Sequence, residues 1–295
     1  MSPARDTAGG RAYLDLQALA RGNGRPVQEL LQLFVLEAFL DRLSQSAHRA
    51  QLVLKGGVLL AAFGERRPTG DVDLQGQALA NDVDAVLALL IEIAAVEIDD
   101  GVEFDVDSAT AKVIRDDDAY AGVRVSMRAR LATAKFSFHV DVNVGDPITP
   151  APGDVDLPRL LGGTITVKGY PLALVHAEKI VTAIARGTVN TRWRDFVDVV
   201  ALSGHHAIDG DQLVESISVV ASHRGIELRP LVLVLDGYGD IGQAKWAAWR
   251  RRQQLEDRTP ESFAELIRSF VAFADPALSG VALGRQWDPA ERAWR

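Results

Sequence analysis

KGGVLLAAFGERRPTGDVDL, residues 55–74, is the stretch on which the fold turns. Residues 51–54 ahead of it read as a short strand, and Lys55-Gly56-Gly57 closes that strand in a turn. Residues 58–63 read as a short helix that stops at Gly64. From 70 to 75 the pattern alternates, with Asp71, Asp73 and Gln75 on one face and Val72 and Leu74 on the other. A strand carrying Asp-x-Asp presents both carboxylates together, because its side-chain period is two. Two carboxylates that close repel unless a cation sits between them. Mg²⁺ suits the pair, being a hard ion satisfied by one or two carboxylates plus substrate phosphates. Glycines at a strand-to-helix turn also let backbone N–H groups approach a phosphate, and a helix N-terminus favours negative charge.

Working outward, residues 29–43 carry apolar side chains at helical spacing, and Asn81 or Asp82 can cap a helix running to 95. Residues 102–106 and 111–115 read as a hairpin. Residues 122–130 alternate Val123, Val125 and Met127 against Arg124, Arg128 and Arg130. Residues 135–144 alternate again and bring a third carboxylate, Asp141, onto a polar face with His139 and Asn143. Residues 146–163 then hold four prolines and three glycines, a run that continues neither a helix nor a central strand. Beyond a short strand at 164–167, helices are expected at 171–185, 193–202, 211–223, 243–255 and 261–274. The prediction is an α+β chain: a mixed sheet with helices over residues 1–150 and a mostly helical domain over 151–295.

Composition narrows the function. The 295 residues include no cysteine, which excludes disulfides, thiolate zinc sites and cysteine nucleophiles. The first 25 residues mix charges and glycines and lack the apolar run of a signal peptide. The longest apolar run, 85–95, is interrupted by Glu92 and is too short to span a bilayer. A cytoplasmic protein with no membrane partner is expected. The net charge of −8 means that any nucleic-acid partner needs a local basic patch. The strand face of Arg124, Arg128 and Arg130 supplies one if it adjoins Asp141; otherwise it is a solvated face.

The order strand, Gly-Gly, short helix, Asp-x-Asp strand and later Asp strand resembles the nucleotidyltransferase superfamily. More narrowly, residues 55–74 resemble the first motif of the AbiEii/MenT family, with Arg67, Thr69, Asp71 and Asp73 in its Arg-x-Ser/Thr-x-Asp-x-Asp positions. FHVDVNVGD (138–146) is similar to the family's later strand with a single Asp, HAEKIVTAIARG (176–187) to its Glu-Lys helix, and RWRDFVDVV (192–200) to its closing motif. Length and Thr69 look most like the mycobacterial MenT toxins. The resemblance implies a nucleotidyltransferase-fold N-terminal domain and a toxin of a toxin–antitoxin pair. Such a toxin transfers NMP from an NTP to the 3′ acceptor end of tRNA and blocks aminoacylation.

On that reading Asp71, Asp73 and Asp141 hold Mg²⁺, with Mn²⁺ as a substitute, and Asp141 alternatively takes the proton from the attacking hydroxyl. Lys55, Gly56, Gly57, Thr69, Lys179, Arg186 and Asp198 meet the nucleotide. Lys179 and Arg186, seven apart on one helix, neutralise phosphate charge, and Asp195 orients Lys179 or contacts the nucleotide. The helical C-terminal domain thereby contributes its Lys and Asp motifs to the site. The resemblance also implies a cognate antitoxin, kinase-like or AbiEi-like, and phosphorylation of Thr69, where added negative charge beside Asp71 repels the triphosphate. Arg66 and Arg67 are placed to hold such a phosphate.

Blander readings stand beside these. Lys179 with Asp195 or Asp198 also reads as a structural ion pair between packed helices. Arg250-Arg251-Arg252 reads as surface charge, and His205-His206 as a helix end. Two other functions compete: the same chemistry on a protein hydroxyl or small molecule, and a non-catalytic binding protein on the same fold.

Overall fold

The quoted stretch forms the seam of a seven-stranded sheet in the computed structural model, which describes residues 3–115 and 121–295. The chain divides into two units. The first runs to Asp146 and resumes at Pro152–Tyr170; the second comprises Pro147–Ala151 and Pro171–Arg295. Residues 152–170, which the sequence reading placed beyond the boundary, thus belong with the first unit.

That unit contains α1 (Ala8–Gly22), α2 (Val27–Gln45), β1 (Leu52–Lys55), α3 (Gly56–Leu59), β2 (Asp71–Gly76), α4 (Val83–Ala94), β3 (Val102–Arg115), β4 (Ala121–Leu131), β5 (Ala134–Val144), β6 (Gly153–Pro158) and β7 (Thr164–Gly169). A 3₁₀ turn, Leu60–Phe63, extends α3 to Gly64, whose left-handed backbone ends it. The strand order is β3-β4-β5-β2-β1-β7-β6. Pairs β2/β5 and β1/β7 are parallel and the rest antiparallel, so the sheet is mixed.

The apolar residues of β4 and β5 face a core under the helices. Val123, Val125, Met127, Phe136, Phe138, Val140 and Val142 are all buried, as the alternation predicts. Phe39 of α2 wedges against Phe138 of β5 and Phe104 of β3, with ring centroids 5.0 and 6.2 Å apart. Asp82 caps α4 by accepting from the Ala85 backbone N–H.

One expectation is corrected. Residues 102–115 form one long strand and not a hairpin; a register shift between Asp105 and Thr110 interrupts its pairing with β4. The strand within the proline-rich segment, β6, lies at the sheet edge and not in a central position, which agrees with the sequence reading; a proline at an edge strand's end is tolerated.

The second unit is built from α5 (Leu172–Arg186), α6 (Trp193–His205), β8 (Ile208–Asp209), α7 (Gly210–Arg224), α8 (Leu231–Val234), α9 (Tyr238–Gln253), α10 (Phe263–Leu278), β9 (Gln286–Asp288) and β10 (Ala293–Trp294). Its core is aromatic. Trp193, Tyr238, Trp246 and Phe263 pack in one cluster, which Phe196 joins to Phe270. Strands β8, β9 and β10 make a small separate sheet. As expected from the sequence, α6 ends at His205.

Candidate active site

Strand register builds the site. Lys55 of β1 lies opposite Asp73 of β2, Asp73 opposite Asp141 of β5, and Asp141 opposite Arg124 of β4. Side chains directly opposite on paired strands share a face. Four adjacent strands therefore present one row: cation, carboxylate, carboxylate, cation. Asp71, two residues before Asp73, stands on the same face in the next row, opposite His139.

Asp71, Asp73 and Asp141 each bring a carboxylate oxygen to within 4.8 Å of the other two. These oxygens are hard donors, and their convergence fits a divalent cation. Burial first, then the charge of Asp71, raises the Asp73 carboxyl from 3.8 to about 7; Asp141 adds to this, while Lys55 and Arg67 oppose it. Arg124 grips Asp141 with two bonds of 2.6 Å each, Nε to Oδ1 and Nη2 to Oδ2. Its Nη2 lies 3.7 Å from Asp71 Oδ2. These carboxylates hold the guanidinium protonated, its pKa raised first by the bond to Asp141.

The glycine turn is fitted to this cluster. Gly56 has φ +67, and a Cβ there would stand 1.9 Å from Asp73 Oδ2, so only glycine fits. A Cβ on Gly57 would meet Thr69 Oγ1 at 2.8 Å and Arg67 Nη1 at 3.1 Å. Thr69 donates to Asp71 Oδ1 at 3.2 Å. Lys55 pairs with Asp146 at 3.3 Å and lies over the Tyr170 ring. Arg66 is engaged elsewhere: it bonds Glu37 of α2 and the Pro158 carbonyl, fixing the loop that leads to Thr69. It is therefore not poised to hold a phosphate on Thr69, contrary to expectation.

In the second unit Lys179 of α5 donates to Asp195 Oδ1 at 2.7 Å and to Asp198 Oδ2 at 2.9 Å. Asp198 is buried. The ion pair foreseen between helices is thus formed, with both aspartates accepting from Lys179. Arg186 is half-buried at the end of the same helix. One turn before Lys179, His176 is fully buried against the Phe273 ring and stays neutral, pushed down to about 3 chiefly by burial. Sequence reasoning weighed Arg124 only as part of a basic face; its outward position was readable from the strand alternation, its partner was not.

Fold and carboxylate set together define the class, a nucleotidyltransferase fold carrying an Asp-x-Asp strand beside a strand with a third aspartate. The family described as nucleotidyl transferase AbiEii toxin of type IV toxin–antitoxin systems matches residues 38–274. The chain belongs to this family. Among solved structures it is similar to JHP933 from Helicobacter pylori, at 13% identity and TM-score 0.51, covering 86% of this chain and 95% of that one. It is also similar to a candidate nucleotidyltransferase from H. pylori, at 14% identity and TM-score 0.52, covering 86% and 97%. None of the curated proteins matches the chain. No helix among the described residues is long and apolar enough to cross a membrane.

Proposed function

We propose that the chain is a Mg²⁺-dependent toxin that transfers NMP from an NTP to the 3′ acceptor end of tRNA. The observation that carries this reading is the convergence of Asp71, Asp73 and Asp141 between Lys55 and Arg124 on one sheet face. Such a row offers ligands to a divalent ion and flanking positive charge to a triphosphate. Asp71, Asp73 and Asp141 would hold the ion, Mg²⁺ or in its place Mn²⁺. Bound there, it would neutralise phosphate charge as the Pα–O bond to pyrophosphate breaks and the bond to the acceptor oxygen forms. Asp141, both of whose oxygens accept from Arg124, would complete the metal site or take the proton from the attacking hydroxyl. Lys55 and the Gly56-Gly57 turn would face the phosphates. In the second unit the proposed role of Lys179, oriented by Asp195 and Asp198, is to neutralise phosphate charge, and Arg186 shares it.

For the acceptor, support comes from the polar face of β3, β4 and β5. Lys112 lies opposite Arg124, and Arg128, Arg130 and Lys135 follow on the same face. This is the local basic patch that an acidic protein needs in order to meet RNA. Arg128 pairs with Asp105 and Arg130 with Glu103, so the patch is milder than its count of cations. That mildness, with the net charge of −8, favours a second reading in which the acceptor is a protein hydroxyl or small molecule. A cognate antitoxin, kinase-like or AbiEi-like, completes the proposal, with Thr69 as its phosphorylation site and the cytoplasm as its setting.

Incubation with each labelled NTP, total tRNA and cell protein tests the proposal. Label in tRNA that vanishes in Asp71→Ala is expected. Label on protein alone would replace the acceptor, and no label on any acceptor would overturn the catalytic reading.

A further inference from the structure

Arg124 occupies an unusual place for a salt-bridge partner. One of its nitrogens, Nη2, faces Asp141 Oδ2 at 2.6 Å and Asp71 Oδ2 at 3.7 Å. It thus stands between two of the three carboxylates that converge at the site. Both oxygens of Asp141 are taken by the same guanidinium. The side chain keeps 32% of its surface exposed, while that of Asp141 keeps 11%. The arginine can therefore leave toward solvent without opening the core, whereas the aspartate stays.

We propose that Arg124 is a tethered stand-in cation: it neutralises Asp141 and Asp71 in the metal-free protein and must yield them when a divalent ion binds. The inference rests on the metal-site reading given above and adds a competition to it. Three converging carboxylates without a counter-charge would repel one another and loosen the β2–β5 seam. A guanidinium on the neighbouring strand prevents this at no cost in ion supply. The consequence is that a divalent ion alone binds weakly, since each ion bound must displace a cation that is already paired. An ion arriving with a triphosphate is at an advantage, because the phosphates give the released guanidinium a new anionic partner.

The opposite arrangement, in which Arg124 aligns Asp141 as a ligand and stays with it, makes the reverse forecast. Removing an aligning partner lowers metal affinity, whereas removing a competitor raises it. The experiment is Mn²⁺ binding without nucleotide, followed by the free-ion electron paramagnetic resonance signal, together with the melting temperature before and after Mn²⁺. Wild type, Arg124→Gln, Arg124→Lys and Asp73→Asn are compared.

In Arg124→Gln the Mn²⁺ Kd is expected to fall about tenfold or more. Its metal-free melting temperature should drop, and its gain on adding Mn²⁺ should exceed that of wild type. Arg124→Lys, which keeps the charge but loses the two-pronged grip, should lie between them. A Kd that is unchanged or higher in Arg124→Gln, while wild-type binding depends on Asp73, overturns the stand-in role and leaves the metal site in place. Mn²⁺ binding that is absent from both wild type and Arg124→Gln, or indifferent to Asp73→Asn, overturns the metal-site reading and this inference with it.

Discussion

Asp73→Asn should make the metal-free first unit more stable at pH 8, although it removes a proposed metal ligand. The Asp73 carboxyl stands at about 7 in the fold against 3.8 for the free side chain, because burial and the neighbouring Asp71 and Asp141 outweigh Lys55 and Arg67. At about 1.4 kcal/mol per pH unit, that gap corresponds to roughly 4 kcal/mol of destabilisation once the group is charged. Solvent screening at this half-buried position reduces the expectation to about 2–3 kcal/mol. The sign follows from a fold that disfavours the charged form. Well below pH 3.8 the side chain is protonated whether folded or unfolded, and no penalty exists. As pH rises the unfolded chain ionises first, the penalty grows, and it is complete above about 7. Asparagine never ionises, so its advantage should be small at pH 4, partial at pH 5.5 and full at pH 8. Urea unfolding in EDTA, followed by far-UV circular dichroism at these three pH values, measures it. A variant that is no more stable than wild type at pH 8, or whose gain grows toward acid, would refute the reasoning.

Three further outcomes are expected. Gly56→Ala forces a Cβ to within 1.9 Å of Asp73 Oδ2 on a left-handed backbone; about 1–2 kcal/mol of stability should be lost and NMP transfer should fall at least about a hundredfold, measured by urea unfolding and labelled-NTP assay. Lys179→Met removes the lysine that bonds buried Asp198 and should cost about 3–5 kcal/mol, much of it recovered in the double variant with Asp198→Asn; thermal unfolding of both decides. Thr69→Glu sets a charge where the hydroxyl now donates to Asp71 at 3.2 Å and should abolish transfer, whereas Thr69→Val retains most of it; equal activity in the two variants would remove the electrostatic argument.

Much of the first unit was legible because strand periodicity writes burial directly into sequence. The two faces of β4 and β5, and the shared face of Asp71 and Asp73, follow from a period of two. What could not be read was neighbourhood. Nothing in residues 70–76 says that β2 lies parallel to β5, yet that pairing brings Asp141 opposite Asp73, as the antiparallel pairing of β4 with β5 brings Arg124 opposite Asp141. The register shift between Asp105 and Thr110 was invisible for the same reason, since two alternating runs with a gap look alike as a hairpin or as one interrupted strand. Helix α1 escaped notice because Gly9, Gly10 and Gly22 weaken its local helix signal, while its buried face, Leu16 and Ala20 included, is supplied by tertiary packing. The ion pairs of Lys179 were foreseeable from spacing, but the simultaneous grip on Asp195 and Asp198 was not.

The aromatic core of the second unit has a practical corollary. All five tryptophans, Trp193, Trp246, Trp249, Trp287 and Trp294, lie in that unit, and the first unit has none. Intrinsic tryptophan emission is thus a label carried by one half of the chain. A fluorescence titration therefore carries no tryptophan signal that originates in the carboxylate-bearing sheet. A single tryptophan introduced at Val113, 54% exposed on β3, would give the silent half an optical signal of its own.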